Sequence, residues 1–211
     1  MKLYISDLHF YHEGAIKMDE RNFPDVRTMN QYMIDQWNSK VKGGDMVIVL
    51  GDFFWTKNPD EVNYVLNRLS GKICLLEGNH DNLWLKKAGV KLDRFEWIKS
   101  YAELQDGQRN VIASHYPVFC YNHQYLVNDD GSARTYMLYG HVHNTHDEKL
   151  VNQFQEITRS VVLKDGYGGK AERRIPCNMI NCFCKFSDYK PLSLDEWILL
   201  DKKRREEMSA L

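Results

Sequence analysis

The sequence of 211 residues lacks the features that would place the protein in a membrane or outside the cell. No apolar run approaches the roughly 18 residues that a membrane-spanning helix needs. The N-terminal stretch MKLYISDLHF becomes polar too soon to resemble a secretory signal peptide. We therefore expect a cytoplasmic protein that has no membrane partner.

The sequence also lacks an excess of charge of either sign, because its formal net charge at pH 7 is −1. This balance gives no support for bulk electrostatic binding of nucleic acid. Apolar residues make up 43% and charged residues 27%, which is ordinary for a soluble globular protein. No linker rich in proline or serine, no repeat and no low-complexity segment divides the chain, so we predict one domain over residues 1–211.

The cysteines are few and lack a regular spacing. Their number is odd and no C-x-x-C pattern occurs, so neither a disulfide framework nor a zinc knuckle is favoured. Three of them lie in CNMINCFC at residues 177–184, which we interpret as reduced thiols in a buried strand. The five are Cys74, Cys120, Cys177, Cys182 and Cys184.

Five short apolar runs have the length and the β-branched or aromatic residues of strands. Most of them do not alternate between apolar and polar residues, which is typical of strands covered on both faces. The runs are residues 2–6, 46–50, 72–76, 110–114 and 135–139.

Helical patterns lie between these runs, so the sequence predicts a layered α/β fold. Residues 58–71 fit a capped helix in which Asn58 is the N-cap, Pro59 occupies the first turn and Gly71 ends the helix. Residues 28–41 carry an apolar residue at every fourth position, as in a helix with one buried stripe.

The C-terminal third has a different pattern. Residues 158–176 predict a strand, a glycine-rich turn and an extended return, and residues 179–186 predict a further strand. Residues 193–208 predict a helix that opens with a capping box between Ser193 and Glu196. The charges that end this helix are interpreted as a solvated face.

Each of the five predicted strands is followed by side chains of the types that bind metals. In α/β sheets the ligand crevice lies outside the carboxyl ends of the strands, so we expect these side chains to converge. In chain order they are Asp7, His9, Asp52, Asn79, His115, His141 and His143.

The spacing of these residues favours convergence within each loop. Asp7 and His9 are two residues apart, as are His141 and His143, and extended backbone would point both members of a pair to the same side. Glycines precede three of the candidates and allow close backbone approach. They are Gly51, Gly78 and Gly140.

The number and chemistry of the candidates predict two metals. Seven ligands are too many for one tetrahedral zinc and suit two divalent ions that share one bridging carboxylate. Imidazole, carboxylate and amide donors together favour manganese, with iron, zinc, nickel or cobalt as alternatives, over calcium or magnesium.

These motifs resemble those of the calcineurin-like metallophosphoesterases. The signature of that family reads D-x-H, GD, GNH followed by D or E, H, and GHxH, and all five parts occur in order between residues 7 and 143. The strings SDLHFYHEGAI, LGDFF and DYKPLSLDEW also resemble a subgroup of small bacterial and phage phosphoesterases. Phe10 stands where a glycine often follows D-x-H, and it could narrow access to the site.

The resemblance implies a four-layer αββα sandwich with two metals at the strand ends. Its motifs assign Asp7, His9 and His143 to the first metal. They assign Asn79, His115 and His141 to the second, and Asp52 bridges both.

The resemblance also implies hydrolysis of a small phosphate ester by a hydroxide that bridges the metals. His80 would protonate the leaving group and Asp81 would orient its ring. Arg21 and His12 are further candidates for phosphate contacts, although Arg21 is equally compatible with a surface position.

Charge favours a phosphodiester over a phosphomonoester, since Asp7 and Asp52 neutralise much of the metal charge. The aromatic residues of segment 116–134 could stack on a nucleoside or pack on the core. A nuclease of the same chemistry and a non-catalytic metal-binding interaction module are alternatives. An arginase-like or metallo-β-lactamase-like hydrolase is disfavoured because Phe10 and Tyr11 follow D-x-H where further ligands would stand. The substrate and the oligomeric state stay open.

Overall fold

The first sheet consists of four parallel strands in chain order. The computed structural model describes residues 1–164 and 172–209, so the predicted glycine-rich turn at 165–171 lies outside the described residues. The strands are β1 (Lys2–Ile5), β2 (Met46–Val49), β3 (Lys72–Leu76) and β4 (Phe95–Lys99). Strand β4 is absent from the sequence prediction because the short FEWIK segment is interrupted by charge and mostly not buried.

The helices of this half lie in the connections between its strands. Helices α1 (Glu13–Met18) and α2 (Val26–Lys40) join β1 to β2, α3 (Pro59–Leu66) joins β2 to β3, and α4 (Asn82–Leu85) follows β3. The caps are local: the Asp25 carboxylate accepts from the amide of Thr28, and the Asn58 side chain accepts from the amide of Asp60.

The second sheet is mixed. It contains β5 (Tyr101–Asp106), β6 (Arg109–Ser114) and β7 (Thr135–Tyr139), after which α5 (His146–Ser160) begins. Next along the chain, β8 (Val162–Lys164) and β9 (Glu172–Arg174) form a separate antiparallel pair. Strand β10 (Met179–Asn181) returns beside β7, giving the order β10-β7-β6-β5, and only the β5–β6 pairing is antiparallel.

Alternating side chains create the four layers. In β1, Leu3 and Ile5 pack with apolar residues of α2 and α3, whereas Tyr4 packs with the second sheet. On the far side of that sheet, Met137 packs with Val151 of α5. The order of layers is helix, sheet, sheet, helix, which confirms the predicted αββα sandwich.

Helix α3 is shorter than predicted. It ends at Leu66 instead of continuing to Gly71, which has φ +81° in the turn that leads into β3. The early end returns Leu69 to the core, where it is almost fully buried. The guanidinium of Arg94 donates to the carbonyls of Leu66, Leu69 and Gly71, and these hydrogen bonds replace those of a longer helix.

The predicted strand at 179–186 is also shorter. It ends at Asn181, and a 3₁₀ turn covers Cys184–Ser187. The cysteines at 177, 182 and 184 are free and buried but lie on either side of the strand, so their expected position was wrong. The chain bends here because it contacts the loop after β1, where the Cys184 thiol donates to the Asp7 carbonyl at 3.1 Å.

The helix α6 (Leu194–Ser209) packs beside β1 and the second sheet. Its predicted capping box is present, since the Glu196 carboxylate accepts from the Ser193 amide at 2.9 Å and the Glu196 amide donates back to the Ser193 hydroxyl. None of the helices in the described ranges is long and apolar enough to cross a lipid bilayer.

The anchor of α6 provides a test of the packing. Trp197 is 1% exposed, and its indole N–H donates to the Tyr4 carbonyl at 2.9 Å. Trp197→Ala should lower the free energy of unfolding by about 3–5 kcal/mol because it leaves a cavity and removes one of the two hydrogen bonds to the Tyr4 carbonyl, which keeps its bond from the Leu192 amide. The matched control is Leu199→Ala on the same helix, which removes a 69% exposed side chain and should change stability by less than about 0.5 kcal/mol. Equal midpoints for the two variants in urea unfolding would contradict this packing.

Candidate metal centre

The loops that follow the strands adopt unusual backbone conformations. Asp7 and His9 have φ of 54° and 50°, and Asp52, His141 and His143 have φ of 51°, 69° and 46°. Left-handed backbone is uncommon for residues other than glycine, although Asp and His tolerate it better than most. The expected extended backbone at the two i, i+2 pairs was therefore wrong. The curled loop after β1 brings Asp7 and His9 to one group of candidate ligands, whereas His141 and His143 enter two different groups.

The first group of candidate ligands comprises Asp7, His9 and His143. The Nε2 atoms of the two imidazoles are 3.3 Å apart, and Nε2 of His143 is 3.5 Å from Oδ1 of Asp7. All three side chains are buried. One loop after β1 and one loop after β7 thus supply the group, as the position of the strand ends predicted.

The second group comprises Asp52, His115 and His141, with Asn79 beside it. Nδ1 of His141 is 3.2 Å from Nε2 of His115, and Oδ1 of Asn79 is 3.0 Å from the same Nε2 atom. The Nδ1 atom of His115 lies 2.9 Å from the Leu50 carbonyl, which requires a proton on Nδ1 and leaves Nε2 free as an electron-pair donor.

Asp52 connects the two groups. Its Oδ2 atom is 3.6 Å from Nε2 of His9 and 3.6 Å from Nε2 of His115. Its Oδ1 atom accepts from the amide of His80 at 2.9 Å, which holds the carboxylate in one orientation. One oxygen therefore faces both groups, which is the placement expected of a bridging ligand.

The donor set fits metal ions. Imidazole nitrogens that bind one ion at about 2.0–2.1 Å are separated by about 2.9–3.4 Å, and the two nitrogen pairs stand at 3.3 and 3.2 Å. Nδ1 of His9 is buried without a hydrogen-bond partner in the described part of the chain, so Nε2 carries all polar contacts of that ring. The mixture of nitrogen, carboxylate and amide donors fits divalent metal ions.

Three glycines make the close approach of the loops possible. A Cβ atom at Gly51 would lie 2.4 Å from Nδ1 of His115, and one at Gly78 would lie 2.3 Å from Oδ1 of Asp52. At Gly140 it would lie 2.5 Å from Oδ2 of Asp7. The prediction that these glycines permit backbone approach is confirmed.

The charges in the centre are strongly coupled. Burial alone would raise the pKa of Asp7, but the hydrogen bond and charge of His143 hold it below its usual range. Burial likewise opposes protonation of His143, whose hydrogen bonds to Asp19 and Asp7 nevertheless raise its pKa to about 9. Burial raises the pKa of Asp52; His115 opposes this shift and Asp7 adds to it. A divalent cation would stabilise both carboxylates in their charged form.

His80 lies at the edge of the centre and outside both ligand groups. Its side chain is 36% exposed, with Nε2 3.9 Å from Oδ2 of Asp52. The ring contacts Trp55, with 4.3 Å between centroids.

Asp81 does not orient His80, so that expectation was wrong. Its carboxylate is fully buried and accepts four N–H donors, from the backbone of Gly78, Asp52 and Phe53 and from the indole of Trp84. Burial raises the pKa of Asp81 to about 6 in spite of these hydrogen bonds. Its role in the structure is to join the loop after β3 to the loop after β2.

Arg21 is neither at the surface nor free to meet a phosphate, so both expectations for it were wrong. It is 2% exposed, and its guanidinium donates to the carbonyls of Asp7 and Leu8 and to Asp19. His12 stacks on Trp55, with centroids 4.1 Å apart and an interplanar angle of 8°, and its ring centroid is 5.2 Å from that of His9. It borders the centre, and phosphate contact by His12 stays a prediction.

Sequence reasoning missed Asp19. Its Oδ1 atom is 2.6 Å from Nδ1 of His143, while its Oδ2 atom accepts from Arg21. Burial alone would raise the pKa of Asp19, but the partners His143 and Arg21 lower it. Asp19 lies outside the motif loops, and its position two residues before an arginine does not mark it in the sequence.

The family of the chain follows from its sequence profile as well as its site. The profile of the calcineurin-like phosphoesterases matches residues 3–192. The protein therefore belongs to the calcineurin-like phosphoesterase family. Family membership and the two ligand groups together indicate metal-dependent hydrolysis of phosphoesters.

Two proteins are similar to this chain over nearly its whole length. The uncharacterised protein MJ1445 of Methanocaldococcus jannaschii is 30% identical over 204 residues, which cover 96% of this chain and 92% of that protein. The crystal structure of AQ665 from Aquifex aeolicus, a protein of unknown function, has a TM-score of 0.62 and 23% sequence identity. The superposed region covers 93% of this chain and 96% of the AQ665 chain, and the likeness supports the fold described above.

The close approach at Gly78 predicts the effect of one added methyl group. Gly78→Ala would place Cβ against both the side chain and the amide of Asp52, so the bridging carboxylate must move. Elemental analysis after manganese loading and desalting should approach two equivalents for the wild type and clearly fewer for the variant. Gly43→Ala is the matched control, because its Cβ would meet no atom within 4 Å. Wild-type metal content in Gly78→Ala would refute the bridging geometry.

Proposed function

We propose that the protein is a phosphodiesterase that uses two divalent ions, with manganese favoured. The observation that carries the proposal is the position of Asp52 Oδ2, 3.6 Å from one imidazole of each ligand group. The first ion would be held by Asp7, His9 and His143, the second by Asn79, His115 and His141, and Asp52 would contact both. When bound, two such ions supply charge neutralisation for the phosphate and activation of a water molecule.

His80 is the proposed proton donor to the leaving oxygen. Its half-exposed ring stands at the mouth of the centre, where a substrate can reach it, and it belongs to neither ligand group. The contact with Trp55 and the hydrogen bond from its own amide to Asp52 fix its position relative to the bridge. An imidazolium in this place can donate a proton to the leaving oxygen as the phosphorus–oxygen bond breaks, and it becomes a neutral imidazole.

The charge of the centre supports a diester substrate. Asp7 and Asp52 neutralise half of the charge that two divalent ions bring, and ionisation of the attacking water removes one more positive unit. A monoanionic diester then matches the remaining charge better than a dianionic monoester does. Arg21, the cation that could have balanced a dianion, is turned towards backbone carbonyls and Asp19.

One aromatic side chain of segment 116–134 borders the centre. Tyr116 is 48% exposed and contacts the ring of His141, with 4.5 Å between centroids. Tyr121, by contrast, is buried in the core beside α5. Tyr116 is therefore the proposed contact for a planar substituent of the substrate.

The substrate preference can be measured directly with the manganese-loaded enzyme. We expect a higher kcat/KM for bis-p-nitrophenyl phosphate than for p-nitrophenyl phosphate, because the guanidinium of Arg21 is already engaged by two carbonyls and Asp19 and does not face a dianion. Cyclic nucleotides and short oligonucleotides, tested in parallel, separate a small-molecule diesterase from a nuclease. A kcat/KM much higher for the monoester would reverse the proposed preference.

The role of His80 can be separated from metal binding. His80→Asn should keep the metal content of the wild type and lose roughly 10²–10⁴-fold in rate, the usual scale for a general acid. The loss should shrink for substrates with good leaving groups, which need less protonation. His123→Asn is the matched control, since His123 is exposed and asparagine tolerates its φ of 59°. Loss of metal from His80→Asn would show that His80 is a ligand.

A further inference from the structure

Asp19 lies behind the first ligand group and uses its two oxygens for different partners. Oδ1 is 2.6 Å from Nδ1 of His143, whose Nε2 faces the ligand group. Oδ2 accepts from Nε and Nη2 of Arg21 at 2.9 and 2.8 Å. The side chain is 4% exposed, so water does not compete freely for either oxygen.

Arg21 connects Asp19 to the opposite side of the same group. Its Nη2 atom donates to the Asp7 carbonyl at 3.0 Å, and its Nη1 atom donates to the Leu8 carbonyl at 2.8 Å. These carbonyls belong to the loop that carries Asp7 and His9. A planar guanidinium can serve all of these acceptors at once, which a lysine ammonium cannot do in the same geometry.

We propose that Asp19 and Arg21 are positioning residues that fix His143 as the Nδ1–H tautomer and hold the Asp7 loop against it. The pair thereby sets the distance between two ligands of the first ion, and neither residue touches the substrate. The proposal rests on the metal centre proposed above and is independent of which phosphate ester is hydrolysed.

The ring of His143 is held in place separately from its tautomer. Phe183 stacks on the imidazole with 4.6 Å between centroids and an interplanar angle of 24°. Loss of the Asp19 hydrogen bond would therefore leave the ring near its position but remove the acceptor that selects the proton on Nδ1. Since a ligand nitrogen must carry no proton, that selection decides whether Nε2 can bind the ion.

An amide at position 19 cannot replace the carboxylate. Asparagine has one acceptor oxygen, whereas His143 and Arg21 both require an acceptor from this side chain. If the amide nitrogen faces His143, the proton moves to Nε2 and blocks the ion. If it faces Arg21, two N–H donors oppose each other and the Asp7 loop loses its support.

The first test measures manganese binding to the chelator-treated full chain by isothermal titration calorimetry. Asp19→Asn should weaken one of two binding events by roughly 10–100-fold, the scale for loss of a partner behind a histidine ligand, and leave the other near its wild-type value. Asp19→Glu keeps two acceptor oxygens and should retain more affinity than Asp19→Asn, although asparagine is closer in size. Arg21→Lys should retain more affinity than Arg21→Gln.

The matched control is Asp188→Asn, which removes an exposed carboxylate at a φ of 51° that asparagine accepts. It should bind both ions as the wild type does. Two ions bound with wild-type affinity by Asp19→Asn would overturn the proposal, and so would stronger binding by Asp19→Asn than by Asp19→Glu. Thermal unfolding of each stripped variant checks that all of them fold.

A second measurement uses the wild type alone and does not depend on the folding of a variant. Nitrogen-15 NMR of the zinc-loaded protein should show the ring proton of His143 on Nδ1, protected from exchange by Asp19. A proton on Nε2 would overturn the proposal. Failure of the proposed function would look different. The protein would then bind two ions and show this tautomer of His143 but hydrolyse no phosphate ester, and the positioning role of Asp19 and Arg21 would still stand.

Discussion

The position of the Asp52 carboxylate is the constraint on which the rest of the centre depends. One oxygen faces an imidazole from each ligand group, and the other accepts from the amide of His80. Its backbone is held equally firmly, because its amide donates to Asp81 and its carbonyl accepts from the amide of His9. Three separate loops are thus fixed to one residue, which is why ligands distant in sequence can be held at metal-binding separations.

The left-handed backbone of the loops that carry the candidate ligands lowers the stability of the fold. Left-handed backbone at a residue other than glycine costs of order 1–3 kcal/mol, so five such ligands together approach the net stability of an ordinary domain. The cost is lower for Asp and His, which are the residue types found at these positions. Hydrogen bonds between loops offset the remainder, among them the amide of Asp7 to the Gly51 carbonyl and the amide of His141 to the Asp7 carboxylate. The two packed sheets hold the loop ends at the required spacing.

The sequence predicts the strands and the ligand cluster well because both depend on local patterns. Apolar runs define five of the strands, three in the first sheet and two in the second, and the candidate ligands lie in the loops at their carboxyl ends. The sequence fails where a side chain acts at long range. Asp81 looks like a partner of its neighbour His80, yet it binds amides in another loop. Arg21 turns inward because its acceptors include backbone carbonyls, which a pattern of side chains does not reveal. The short β4 and the early ends of α3 and β10 depend on tertiary contacts that local propensity does not encode.

The contacts made by residues 182–184, directly after β10, have a consequence for synthesis on the ribosome. Residues of the β1 loop hydrogen-bond to residues near 182–184, and Phe183 stacks on His143. The surroundings of the first ligand group are therefore incomplete while the chain has been translated only as far as His143. A nascent chain cannot reach the final geometry of this group until about forty further residues have left the exit tunnel, although all seven candidate ligands are already present. Binding of an ion by the first ligand group would thus follow translation of the ligands and accompany closure of the second sheet.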